Sequence, residues 1–186
     1  MGSQLSQDIK VDTILKEKTD GFFLDIGACY HNTMSNSEFF EISRNWRGVA
    51  VELQESYRQG WEEHRPKSYF HCEDATTVDY QKLLDSQNAP KIIDYLSIDV
   101  DPPTTLSLEV LYKVFETDYL FNVITFECDY GGDVECNFER PGTRDESREF
   151  LKSKGFILLE EIYDHAKPHY HVDDLWVHER LNYEAQ

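Results

Sequence analysis

Basic residues are scarce in this chain: 18 lysines and arginines stand against 36 aspartates and glutamates, a formal net charge of −18 over 186 residues. Nucleic acid and anionic membrane surfaces are both gripped through clustered positive charge. This balance opposes both as partners and favours a neutral or cationic ligand. Cysteine is sparse as well, and Cys29, Cys72, Cys128 and Cys136 form no C-x-x-C pair. They read as reduced thiols of a cytoplasmic protein rather than a disulfide framework or a zinc site. No apolar run approaches the roughly 18 residues of a membrane span. The opening Met1-Gly2-Ser3-Gln4-Leu5-Ser6-Gln7-Asp8 lacks the charged and apolar regions of a secretion signal. Gly2-Ser3 has the look of a cloning scar, so the expectation is a single domain over 1–186 that could have been cut from a larger protein. A chain of this length buries about 70% of its unfolded surface as one domain. Nothing in it sets an oligomeric state.

What the chain does have is interleaved strand and helix. Strand-like apolar runs lie at 21–26, 48–53, 68–72, 92–99, 121–127, 156–160 and 174–178, and helix-like stretches near 37–44, 55–63, 78–86, 104–115 and 145–154. Ile9, Val11, Ile14 and Leu15 suggest a short amphipathic leading helix. This order favours an α/β fold with a mostly parallel sheet covered on both faces. Ligands in such folds bind beyond the carboxyl ends of the strands, near the switch point. Gly131, Gly132, Pro141 and Gly142 punctuate a polar insertion after the fifth strand, a candidate lid or substrate loop.

Acidic residues gather at two strand tips. Asp99 and Asp101 close the run Ile92-Ile93-Asp94-Tyr95-Leu96-Ser97-Ile98-Asp99-Val100-Asp101, and Glu127 and Asp129 close Asn122-Val123-Ile124-Thr125-Phe126-Glu127-Cys128-Asp129. Residues two apart on a strand point the same way, so neighbouring tips would aim four carboxylates at one spot. Two such charges about 4 Å apart repel by roughly 4 kcal/mol at an effective dielectric of about 20. A cation, a shared proton or a substrate hydroxyl would offset that repulsion. The plainer reading is that these acids end strands in solvent.

The amino-terminal strands carry a different set. Phe22-Phe23-Leu24-Asp25-Ile26-Gly27-Ala28 is a buried strand followed by a turn at which Gly27 lets a ligand approach the backbone. A G-x-G-x-x-G fingerprint is lacking, which weakens a pyrophosphate-binding dinucleotide site. Glu52, ending the second strand, can accept two ribose hydroxyls, though a strand-end acid is often simply solvated. Asp74, after the third, can accept from an adenine amine or serve as a turn or helix cap before Val78. In order, the three strand ends fit an adenosine cofactor better than any one of them does.

Phe23-Leu24-Asp25-Ile26-Gly27-Ala28, Ser35-Asn36-Ser37, Trp46-Arg47-Gly48-Val49 and Glu52, with the two acidic tips, Ser147-Arg148 and Asp173-Asp174-Leu175-Trp176-Val177, resemble the FkbM-like S-adenosylmethionine-dependent methyltransferases. The likeness runs over about residues 20–180. It implies a class I methyltransferase fold, a Rossmann-like three-layer sandwich whose seven-stranded sheet is mostly parallel with an antiparallel last strand. It also implies O-methylation, often of sugar hydroxyls. By this resemblance Asp25, Gly27 and Ala28 contact the methionine part, Glu52 the ribose, and Asp74 with Ala75 the adenine, with Asp99 also among the cofactor contacts. The chain departs from the family's glycine-bearing turn at Cys29-Tyr30-His31.

Asp99-Val100-Asp101 is also similar to the acidic step of metal-dependent, macrocin-type sugar O-methyltransferases. That similarity implies Asp99, Glu127 and Asp129 as ligands of Mg2+, or of Mn2+ or Ca2+, and Asp101 as general base. The family places two adjacent acids where this chain has Glu127-Cys128-Asp129. The acceptor would then be a carbohydrate or small-molecule hydroxyl, and oxygen-only ligands suit these ions better than zinc.

His31 in the cofactor turn is the alternative base. His165, His169 and His171 cluster in a late loop, where they read as solvated residues more readily than as transition-metal ligands. Tyr163, Tyr170 and Trp176 can stack on a sugar face or belong to the core. Two other classes remain open: a catalytically silent S-adenosylmethionine-binding module and an NAD-type oxidoreductase.

Overall fold

Phe22–Ile26 (β1) is buried at every position, as expected of a central parallel strand covered on both faces. The structure is a computed structural model that describes residues 2–100, 105–130, 143–166 and 170–183, without the side chains of Asp129 and Tyr130. On one side of β1, Arg47–Glu52 (β2) and Ser68–Cys72 (β3) add in parallel. On the other come Ile92–Ile98 (β4) and Leu120–Tyr130 (β5), also parallel. Phe156–Tyr163 (β6) and His171–His178 (β7) complete a seven-stranded sheet of order β3-β2-β1-β4-β5-β7-β6, in which β7 runs antiparallel to both neighbours. Chain order reverses between β1 and β4, and a crevice opens at their carboxyl ends.

Helices cover both faces. Gln7–Ile14 (α1) and Glu38–Arg44 (α2) lie over a core of Phe23, Phe40, Trp46, Tyr95 and Leu175. Arg58–His64 (α3) packs Trp61 on Ala50 and Phe70. Tyr80–Ser86 (α4), Thr105–Val114 (α5) and Thr143–Ser153 (α6) bury Leu83, Leu84, Leu108, Leu111 and Leu151 against Phe22, Leu24 and Ile26 of β1 and Phe121, Ile124 and Phe126 of β5. Among the described residues no helix is long and apolar enough to cross a membrane.

Three expectations change. The leading helix is not apolar on its buried side: Gln7, Asp8 and Asp12 are buried with Val11 and Ile14, while Ile9 is 49% exposed. Polar partners explain this, since Arg44 grips the Asp12 carboxylate with both Nε and Nη2. Strands β6 and β7 are longer than their apolar runs, because β7 sits between β5 and β6 and gains ladder bonds on both edges. That places His171 in a strand, 1% exposed, where a solvated loop histidine was expected. Trp176 is likewise wholly buried core. The insertion at 131–142, with Cys136, and His169 lie outside the described residues.

Candidate functional site

The turn after β1 sets the geometry of the crevice. Gly27 has φ +80, its N–H donates to the Val51 carbonyl at 2.9 Å, and the Asp99 N–H donates to the Ile26 carbonyl at 2.9 Å. A side chain on Gly27 would run into the Asp99 carbonyl. The tips of β1, β2 and β4 are therefore drawn together by backbone bonds that only glycine permits. Gly27→Ala combines a left-handed backbone with overpacking, and should cost about 2 to 4 kcal/mol in denaturant unfolding. A loss below about 0.5 kcal/mol would mean that the turn relaxes freely.

Two adjoining cavities of about 350 and 270 Å³ run across these tips and share Gly27, Cys29 and Asp99. The first is walled by Glu52, Asp74 and Ala75, with Val51, Leu53, Val100 and Leu106 as apolar surface. The second is walled by Asp25, Ala28, Asn36 and Glu127, together with Asp173, Tyr170, Gln4 and Gln7. All seven residues that the resemblance assigned to the cofactor thus face one continuous groove.

Each acid is held differently. Glu52 accepts the Cys29 N–H at 3.0 Å on one oxygen and the Gln54 N–H at 2.8 Å on the other, which fixes the carboxylate and leaves each oxygen a further lone pair. Asp74 accepts the Thr76 N–H and hydroxyl at 2.9 and 2.8 Å, and these bonds hold its carboxyl below the usual range. It is a turn residue that also faces the groove, while the helix cap belongs to Asp79, which accepts the Lys82 N–H. Asp25 is 2% exposed, and burial pushes its carboxyl up against the opposing pull of the Ser37 hydroxyl at 2.6 Å and the Arg65 charge.

Behind Asp25 lies a buried relay. Arg65 donates through Nη2 to the Ser37 hydroxyl at 3.1 Å, through Nη1 to the His31 carbonyl at 2.9 Å, and through Nε to Glu41 at 2.9 Å. Glu41 also accepts the Lys67 N–H and the Ser68 hydroxyl. Arg65 and Glu41 are 1% and 2% exposed, and sequence periodicity gave no sign of them.

At the far end, Glu127 of β5 stands opposite Asp173 of β7 in the strand register. The Ser107 hydroxyl meets Glu127 at 3.2 Å, and the Gln7 amide donates to Asp173 at 2.6 Å. Asp173 and Gln7 were not foreseen as site residues. The signal for Asp173 was its place in the quoted Asp173-Asp174 pair, whereas nothing marked Gln7. Asp101 and the Asp129 side chain lie outside the described residues. Asp99 and Glu127 are then the described part of the expected oxygen ligand set. Among the described residues, the group of three candidate ligands within 4.8 Å of one another is Cys128, His171 and Asp174, none of which lines the groove.

His31 does not serve the groove. Its ring stacks on His64 at 4.7 Å beside Gly60 and faces a separate cavity with Glu38 and Ile42. The turn that was expected to present it instead sends the side chain over α3. Burial and the His64 charge both lower its pKa, so it is a poor match to a base poised at the cofactor.

No protein-family model and no curated protein matches the chain. Solved structures do. A putative rRNA-methylase from Clostridium thermocellum superposes with a TM-score of 0.59 at 15% identity, over 94% of this chain and 97% of that one. Fibrillarin from Aeropyrum pernix, in complex with natively bound S-adenosyl-L-methionine, gives 0.61 at 15% identity, over 94% and 74%. The N-methyltransferase NodS from Bradyrhizobium japonicum gives 0.59 at 9% identity, over 94% of each. The fold is that of the class I, Rossmann-like methyltransferases. At such identities the likeness is one of fold.

Proposed function

We propose that this chain is an S-adenosylmethionine-dependent methyltransferase whose acceptor is a hydroxyl, most naturally of a sugar or glycan. The carrying observation is the groove itself: Asp25, Gly27, Glu52, Asp74 and Asp99 line two joined cavities at the switch point. The glycine turn leaves room for a ligand, Glu52 offers two fixed oxygens to a vicinal diol, and the buried carboxyl of Asp25 suits an ammonium. The apolar patch of Leu53, Val100 and Leu106 suits an adenine face.

Bound there, the cofactor supplies an activated methyl on a sulfonium. The chain must orient the acceptor oxygen in line with that methyl and take its proton. Orientation is worth about 7 to 11 kcal/mol, and a general base about 10²- to 10⁴-fold in rate. Asp101 is the proposed base. Asp99, Glu127 and Asp129 are the proposed holders of a magnesium-like ion, which would favour the alkoxide form of the hydroxyl. A cationic amine acceptor is the second reading, because Asp25, Asp99, Glu127, Asp164 and Asp173 all face the second cavity and, among the described residues, no lysine or arginine does.

The cofactor assignment is tested by calorimetry with S-adenosylhomocysteine and, in parallel, with NAD. Glu52→Ala should weaken S-adenosylhomocysteine by about 1.5 to 3 kcal/mol, the worth of hydrogen bonds to a charged group. Unchanged affinity in a folded Glu52→Ala protein would remove the ribose assignment, and tighter binding of NAD would point to the oxidoreductase class. Turnover with a panel of sugars and amines, with the product mapped by NMR, separates the two acceptor readings and a silent binding module. For the ion, EDTA should abolish turnover and magnesium restore it. Full turnover after exhaustive chelation would reject the metal and leave methyl transfer standing.

A further inference from the structure

Cys128, His171 and Asp174 are 2%, 1% and 0% exposed, and one potential ligand atom from each lies within 4.8 Å of the others. They sit on the α6 side of the β5–β7 pair, outside the groove. His171 Nε2 faces two acceptors, the Asp173 carbonyl at 2.9 Å and an Asp174 carboxylate oxygen at 3.0 Å, so the neutral ring carries its proton there. Its Nδ1 is then a buried lone pair, and it has no partner among the described residues. The Cys128 thiol donates to the Phe126 carbonyl at 3.5 Å, and burial followed by the Asp174 charge pushes its pKa up.

We propose that Cys128, His171 and Asp174 form a binding site for a zinc-type divalent ion. The ion displaces the proton of the Cys128 thiol, which passes to solvent as the thiol becomes thiolate. His171 is the third ligand, and a water takes the fourth position. A thiolate, an imidazole and a carboxylate select zinc over the hard ions that oxygen-only sites take. Zinc bonds of about 2.0 to 2.3 Å place neighbouring ligand atoms roughly 3.3 to 3.6 Å apart, so the cluster closes by at most about 1.5 Å.

Charge favours the same ion. Arg148 holds Asp174 through Nε and Nη2, both at 2.7 Å, and reaches Glu161 at 2.8 Å. With the thiol ionised, Cys128, Asp174 and Glu161 outweigh Arg148 by two negative charges, which a divalent ion cancels. The location gives the ion a task. Cys128 follows Glu127 and Asp174 follows Asp173, and adjacent strand residues face opposite sides of a sheet; His171, two before Asp173, joins the Asp174 face because the β6–β7 register shifts between them. An ion on one face would fix the strand ends that carry Glu127 and Asp173 on the other.

The inference does not depend on the methyl-transfer reading, and its test uses binding rather than turnover. Metal-free full chain is titrated with cobalt(II) as a spectroscopic probe. One ion per chain, a thiolate-to-cobalt charge-transfer band, tetrahedral d–d absorption and release of about one proton per ion are expected. Loss of an outer-shell partner alone costs about 10- to 100-fold in affinity, so Cys128→Ser should cost more than about 100-fold and abolish the charge-transfer band. Cys72→Ser should keep both. If Cys128→Ser does not fold, X-ray absorption of the zinc-loaded wild-type chain must give one sulfur with nitrogen and oxygen ligands. Absence of stoichiometric binding, a charge-transfer band that persists in Cys128→Ser, or a sulfur-free shell would overturn the site and leave the cluster an ion-pair network pinning α6. Magnesium, which serves the proposed groove ion, should not displace cobalt here.

Discussion

Replacing Glu41 by alanine should cost about 3 to 5 kcal/mol of stability, the usual effect of stripping one partner from a buried ion pair. Arg65 is 1% exposed, and without Glu41 its charge stays buried with the Ser37 and Ser35 hydroxyls and the His31 carbonyl as its described hydrogen-bond partners. For a chain of this size the melting temperature should fall by roughly 6 to 20 °C. The double variant Glu41→Leu with Arg65→Met should regain much of that loss, because a well-packed apolar pair avoids the desolvation cost altogether. It should not regain cofactor affinity, since the Arg65 to Ser37 to Asp25 relay is gone. A calorimetric scan in which Glu41→Ala melts within about 2 °C of wild type would mean that the pair is not buried in solution.

Asp101→Asn should lower turnover by about 10²- to 10⁴-fold while leaving S-adenosylhomocysteine affinity unchanged, because a general base acts on the acceptor proton and not on the cofactor. The pair of readouts matters: a loss of both would indicate a damaged fold. Full activity would send the search to Glu127 and Asp173, the other carboxylates at that end of the groove. The histidines are poor successors. His31 is turned onto His64, and His171 is buried on the opposite side of the sheet from the groove.

Much of the fold was legible locally. Each of the seven strands was announced by its own apolar run, and helical spacing marked the segments between them. The acids at the ends of β1, β2 and β4, and the one following β3, could be picked out because a strand tip is a position in the sequence as well as in space. Gly27 belonged with them, since a tight turn between a strand and a ligand-facing loop demands a residue that tolerates positive φ.

The failures share a different origin. Glu41 and Arg65 lie 24 residues apart, and Gln7 and Asp173 lie 166 apart. No window of periodicity contains either pair. Gln7 and Asp12 are not among the apolar residues that suggested the leading helix, yet they are buried because Asp173 and Arg44 meet them there. His171 looked like a loop residue, yet it is core because β7 inserts between two strands and both of its edges are paired. By itself the sequence determined which segments become strands and helices, that the sheet is mostly parallel, and that acids collect at its tips, since backbone propensity and hydrophobic period act over a few residues. Only the tertiary structure decided which buried charges find partners, which face of a strand meets the groove, and that Cys128, His171 and Asp174 converge, because those outcomes depend on contacts between segments that local pattern does not encode.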